Sequence, residues 1–174
     1  MEFVVVSGWT GAGKSTLADA LGAALPATVA SFDWLMSALR SFPSVWEAAE
    51  LPVEHQRRVG WELLGRVAEQ QLRRGASVVV DLVAREEIVD EWRALADRYG
   101  ARFAVVECIC RDVDVHRSRV DGRVRGIPGW YELDWEHVAL GRERYAPLPE
   151  PKLVLDAVDP LAANVARALT YLGR

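Results

Sequence analysis

FVVVSGWTGAGKST, residues 3–16, joins a β-branched apolar run to a glycine loop, then to a lysine and two hydroxyls. Gly8 to Ser15 satisfies G-x-x-x-x-G-K-[ST] at every fixed position, with a strand pattern before it and a helical pattern after it. Glycine is needed there because backbone angles closed to other residues turn successive N–H groups inward. The result is a concave anion nest at the positive end of a helix. A chance glycine turn with a solvated lysine would lack the strand before and the helix after. The stretch therefore predicts a triphosphate cradle built by Gly8, Trp9, Thr10, Gly11, Ala12, Gly13, Lys14, Ser15 and Thr16. Lys14 is expected on the β- and γ-phosphates, Ser15 on Mg²⁺ and Thr16 on the α-phosphate. ATP and Mg²⁺ are the expected cofactors.

Outward from the loop, short apolar runs alternate with amphipathic stretches. Residues 3–6 (FVVV), 28–32 (TVASF), 77–83 (SVVVDLV), 103–109 (FAVVECI) and 152–156 (KLVLD) read as strands. Their apolarity is continuous rather than alternating, which suits strands buried on both faces of a parallel sheet. Helical spacing follows the loop (Leu17, Leu21, Ala24) and recurs over 54–74, 86–98, 134–145 and 160–172. Strand alternating with helix predicts one α/β three-layer domain spanning 1–174. Two segments break the rhythm and are candidate working loops: Ser41–Val53, with Pro43 and Pro52, and Asp121–Trp130 (DGRVRGIPGW).

Composition narrows the function. The chain has 174 residues, 51% hydrophobic and 26% charged, with a net charge of -4. An acidic balance weighs against a protein that grips nucleic acid by bulk charge. No apolar run approaches a bilayer span and no secretory leader is evident, so a cytoplasmic protein with no membrane partner is expected. Cys108 and Cys110 share a strand and have no companion ligands at metal spacing, so both read as buried apolar filler. The oligomeric expectation is a monomer or small homo-oligomer.

Chemistry beyond the loop rests on carboxylates and arginines. Asp33 closes the second strand run, where ligands gather outside the strand ends of an open sheet. It is a candidate base for an attacking hydroxyl, or a helix cap, and the two roles are compatible. Asp81 closes the third strand run and is the expected acidic partner of Mg²⁺ beside Ser15. Arg117, Arg119, Arg123 and Arg125 crowd into nine residues running into the second loop. Together they suggest a lid over about 117–131 that neutralises phosphate charge and excludes water. Arg119 and Arg123 are favoured because i, i+4 spacing puts them on one helix face; Arg117 is a further nucleotide contact. Seven tryptophans are many for this length. Trp92 reads as core, whereas Trp34, Trp46 and Trp61 gather near an acceptor segment at about 34–61. With Arg85 and Trp130 they are candidate acceptor walls.

At this point the sequence resembles the P-loop small-molecule kinases, and among them the chloramphenicol phosphotransferases. The carriers are GWTGAGKST, SFDWLMSAL, LRRGASVVVDLV, DEWRAL (90–95) and RSRVDGRVRG. Similar motifs occur in gluconate and shikimate kinases and in zeta-type toxins. The resemblance implies a five-stranded parallel sheet in order 2-3-1-4-5, ATP–Mg²⁺ as donor, Asp33 as catalytic base, and Arg119 and Arg123 as lid residues. It implies phosphorylation of a hydroxyl on a small acceptor, such as an antibiotic or related metabolite, and hence a role in antibiotic resistance. Leu82-Val83 follows Asp81 where the related enzymes carry a second acidic residue. Residues 34–61 do not match a chloramphenicol pocket. A kinase of nucleotide-sugar or nucleic-acid ends, and a nucleotide-dependent regulatory module, are the competing readings.

Overall fold

The structure is a computed structural model that describes residues 1–42 and 52–174. Its elements run β1 (Glu2–Gly8), α1 (Lys14–Ala24), β2 (Thr28–Ser31), α2 (Phe32–Arg40), α3 (Val53–Arg73), β3 (Val78–Asp81), α4 (Glu86–Arg98), β4 (Arg102–Ile109), α5 (Val113–Val120), α6 (Trp135–Arg144), β5 (Leu153–Asp156) and α7 (Leu161–Tyr171). The five strands form one parallel sheet in the order β2-β3-β1-β4-β5. This is the expected order, with helices on both faces.

β1 shows why its run is uniformly apolar. Side chains alternate across a strand. Phe3 and Val5 pack against α3 and α4 through Leu64, Ala68, Ile88 and Trp92. Val4 and Val6 pack on the opposite face against α1 and α7 through Leu17, Leu21, Ala168 and Leu172. All four β1 residues are fully buried, each contributing roughly 1.5–3 kcal/mol relative to exposure. Polar substitution at either parity would therefore disrupt a core.

Element boundaries differ from the sequence reading where polar side chains take over. β2 stops at Ser31, and Phe32 and Asp33 open α2. β3 stops at Asp81, before Leu82-Val83. α5 (VDVHRSRV) was part of the expected arginine lid, and its N-terminus is fixed by Asp112, whose carboxylate accepts from the N–H groups of Asp114 and Val115. Trp92 is core as expected, and both cysteines are buried. Sequence patterning did not anticipate Glu107, buried in β4, which accepts from the Tyr145 hydroxyl (2.7 Å) and the Leu148 N–H (3.1 Å). Lys152 pairs with it at 2.7 Å. A buried acid is costly unless paired and hydrogen-bonded; these partners hold the segment after α6 against the sheet. Among the described residues, no helix is long and apolar enough to cross a membrane.

Candidate active site

The carboxyl ends of the strands open into a cleft of about 1490 Å³. Its floor is the glycine loop. Gly8, Gly11 and Gly13 hold φ of 135°, 83° and 82°, values that L side chains rarely adopt. At Gly8 a Cβ would also lie 2.1 Å from the Cys108 carbonyl oxygen. α1 begins with no side-chain cap. The Lys14 ammonium donates to the Trp9 carbonyl at 3.1 Å, and the Ser15 hydroxyl donates to Asp81 Oδ2 at 2.6 Å. Asp81 is 4% exposed, and its Oδ1 has no hydrogen-bond partner. Burial raises its pKa above the ordinary carboxylate value, opposed by Lys14 and the Ser15 hydroxyl.

These oxygens suit a hard divalent cation that takes few protein ligands and completes its shell with phosphate and water. Among the described residues, no group of three His, Cys, Asp or Glu side chains could hold a metal by itself. The Ser15–Asp81 pair is the donor set that fits Mg²⁺.

Asp33 lies in the first turn of α2 and lines the cleft. Its Oδ2 is paired with Arg125 Nη1. Arg125 is itself braced: its backbone N–H donates to Glu132 at 2.9 Å, its Nε to Glu132 at 2.9 Å, and its Nη2 to the Tyr131 carbonyl at 3.1 Å. Arg123 stands 3.3 Å from the same Glu132. Its pKa falls below the usual guanidinium value because it is buried and because Arg125 is close. Arg119 lines the cleft and donates to the Ala157 carbonyl at 2.7 Å, in the loop after β5. Trp130 stacks on Tyr131 with ring centroids 5.1 Å apart, and the Arg40 guanidinium lies over both rings.

Several expected site residues sit elsewhere. Arg117 is on the outer side of α5, pairs with Asp121 at 3.3 Å and does not line the cleft. Arg119 and Arg123 do not share a helix face, because α5 ends at Val120 and Gly122 follows with φ 71°. They approach the cleft independently. Trp61 is 3% exposed, packed into the core between α3 and the sheet rather than in an acceptor wall. Trp34 is 53% exposed and does not line the cleft. Arg85 does line it, pairing with Glu54 at 3.1 Å. Trp46 lies outside the described residues. Trp9 borders the cleft, but its indole N–H donates to the Val138 carbonyl at 2.8 Å and its ring meets Tyr145. It clamps the loop to α6.

Sequence reasoning missed Arg125 as the partner of Asp33, although it named the residue in the cluster. It also missed Glu132 and Arg40, which meet the site only through tertiary packing.

With the geometry in hand, comparison places the chain among known proteins. A family model described as an AAA domain matches residues 3–148. No curated protein matches the sequence. Among solved structures, a sugar kinase from Janibacter sp. HTCC2649 superposes at TM-score 0.68 with 19% identity, covering 99% of this chain and 95% of that one. A gluconokinase from Sinorhizobium meliloti 1021 gives 0.69 at 21% identity, covering 99% and 92%. The Mycobacterium tuberculosis APS kinase CysC, in complex with AMPPNP and APS, gives 0.63 at 19% identity, covering 99% and 98%.

Proposed function

The chain belongs to the AAA domain family, and on that premise we propose that it is an ATP-dependent O-phosphotransferase acting on a hydroxyl of a small molecule. One observation carries the reading. A loop of phosphate-cradling geometry, with Ser15 on Asp81, shares a cleft with an acceptor-side carboxylate, Asp33, and three arginines. The solved sugar kinase, gluconokinase and APS kinase of the same fold support it by analogy, since sugars, gluconate and APS are small molecules.

The division of labour follows from position. The loop N–H groups and Lys14 hold the triphosphate. Ser15 and Asp81 would hold Mg²⁺, which when bound neutralises phosphate charge. Asp33 orients the acceptor hydroxyl and takes its proton as the oxygen bonds to the γ-phosphorus. The bond from that phosphorus to the bridging oxygen breaks, and the nucleoside diphosphate leaves. Arg119, Arg123 and Arg125 balance charge on the transferred group. Arg125 on Oδ2 fixes the Asp33 carboxylate at the cleft, and a carboxylate so held retains acceptor capacity for the hydroxyl.

The acceptor we propose is a ring-bearing hydroxylated molecule of the antibiotic or secondary-metabolite kind. Phe32, Met36, Trp130 and Tyr131 offer it an apolar wall. Such an acceptor would assign the chain to resistance or to metabolite modification in the cytoplasm.

The test is a panel of sugars, sugar acids, nucleosides and antibiotics incubated with ATP and Mg²⁺ and read by an 80 Da gain in mass, roughly one phosphoryl group transferred. Asp33→Asn should lower turnover by about 10²–10⁴-fold, the range of general acid–base assistance, while leaving ATP affinity nearly intact. Unchanged turnover in that variant would remove Asp33 from the mechanism. ATP consumption indifferent to every acceptor would remove the phosphotransferase reading.

A further inference from the structure

Beneath the glycine loop lies a histidine for which neither the fold nor the chemistry above has a use. His116, on α5, is 2% exposed and packs edge-on against Trp135 with centroids 5.3 Å apart. Its Nε2 lies 2.7 Å from the Thr10 carbonyl oxygen, and its Nδ1 lies 3.4 Å from Arg142 Nη1 on α6. Arg142 also donates to the Arg111 carbonyl at 3.1 Å. An arginine carries donors only, so Nδ1 must be the accepting nitrogen. That leaves the proton on Nε2, donated to Thr10. Arg142 selects the tautomer.

The Thr10–Gly11 peptide is trans, so its C=O and N–H point in opposite directions. Anchoring the Thr10 oxygen on the buried imidazole turns the Gly11 N–H away from it. Gly11 also lines the cleft, whereas His116 does not. The same ring fits against Gly11 so closely that a Cβ there would lie 2.8 Å from Nε2. Steric fit and hydrogen bond thus constrain the same peptide plane.

We propose that His116 is a positioning residue for nucleotide binding, holding the Thr10–Gly11 peptide with its N–H turned toward the phosphates while Arg142 holds the imidazole in the required tautomer. The proposal rests on the triphosphate reading of the loop. It adds that a neutral imidazole, rather than loop sequence alone, sets the cradle. The charged groups facing the ring are Arg142 from α6, Arg119 from its own helix and Lys14 from the loop, all cations. Burial, then these cations, lowers the imidazole pKa, against the bond to Thr10. A protonated ring would keep its Nε2–H on Thr10 but present a second N–H to Arg142, losing the contact that orients it.

The experiment is titration calorimetry of Mg²⁺ with a non-hydrolysable ATP analogue, at pH 7.5. The proteins are the wild type, His116→Phe, His116→Gln and Lys14→Ala. Phenylalanine fills the site without a donor and should weaken binding about tenfold at pH 7.5, the loss of one buried hydrogen bond. Glutamine can place an amide N–H near Nε2 and should stay within about threefold of wild type. Equal affinity of wild type and His116→Phe overturns the proposal, as does a His116→Gln variant that binds no tighter than His116→Phe. If the Phe variant does not fold, a His116→Gln variant weakened about tenfold or more overturns it alone. A wild type that binds no nucleotide, or a Lys14→Ala variant of unchanged affinity, refutes the triphosphate reading itself and this role with it.

Discussion

Replacing Gly141 by alanine separates helix propensity from packing, because the two predict opposite signs. Gly141 lies inside α6, where alanine is favoured over glycine by about 0.5–1 kcal/mol. Yet a Cβ there would lie 1.8 Å from Trp9 Cζ2 and 2.6 Å from Cη2. Trp9 cannot simply withdraw, since its indole N–H is held by the Val138 carbonyl and its ring by Tyr145. Overpacking costs roughly 1–3 kcal/mol, and losing the indole hydrogen bond adds about 0.5–1.5 kcal/mol. Setting these against the helical gain leaves Gly141→Ala destabilised by roughly 0.5–4 kcal/mol. Thermal denaturation by circular dichroism should show Tm lowered by roughly 1–16 °C for a chain of this size. Nucleotide affinity should fall as well, because Trp9 belongs to the loop. In the double variant Trp9→Leu, Gly141→Ala, the alanine should cost nothing beyond Trp9→Leu alone. A Gly141→Ala protein as stable as wild type, or more stable, would refute the clamp.

The remaining expectations concern core, acid and metal. Trp61→Ala should cost about 3–5 kcal/mol, the usual penalty for emptying a buried aromatic site, without changing the acceptor KM of the folded protein; a selective KM effect would return Trp61 to the acceptor wall. Stability should fall as pH drops below about 6.5, because the unfolded chain protonates His116 more readily than the folded one does. Urea melts at pH 7.5 and 5.5 should show a smaller acid loss in His116→Gln, and parallel losses would contradict that assignment. Removal of divalent cations with EDTA should abolish phosphoryl transfer and added Mg²⁺ should restore it; turnover in EDTA would exclude the Ser15–Asp81 pair from metal binding.

The sheet and the phosphate loop were legible because their signals are local. Continuous apolarity marked the strands, and Gly8 to Ser15 carried its own context in the flanking strand and helix. The place of Asp81 at the end of β3, beside Ser15, was legible for the same reason, since a strand end is a position in sequence as well as in space. The acceptor side was not. Whether Trp61 faces a cleft or a core depends on which side of α3 meets the sheet: helical spacing over 54–74 pointed to a stripe of Val59, Leu63 and Val67, whereas the buried face is that of Trp61, Leu64, Ala68 and Leu72. Arg119 and Arg123 were joined on the assumption of an unbroken helix, but Val120 ends it and the chain turns at Gly122. Arg125 meets Asp33 across 92 residues, Arg142 meets His116 from another helix, and Glu132 gathers two arginines from across a loop. None of these pairings leaves a spacing in the sequence.

The placement of β1 at the centre of the sheet bears on how the chain folds during its synthesis. β1 and the glycine loop leave the ribosome well before β3 and β4, which flank the strand on either side; the link from Glu2 to Ser77 already spans 75 residues. Until those partners emerge, a strand carrying the apolar run Phe3–Val6 has unpaired edges on both sides, the state most exposed to aggregation and to chaperone capture. The nucleotide cradle, hung from the end of that strand, therefore matures late: a nascent chain stalled before Arg102 carries the whole motif in its sequence and only half of the support that shapes it.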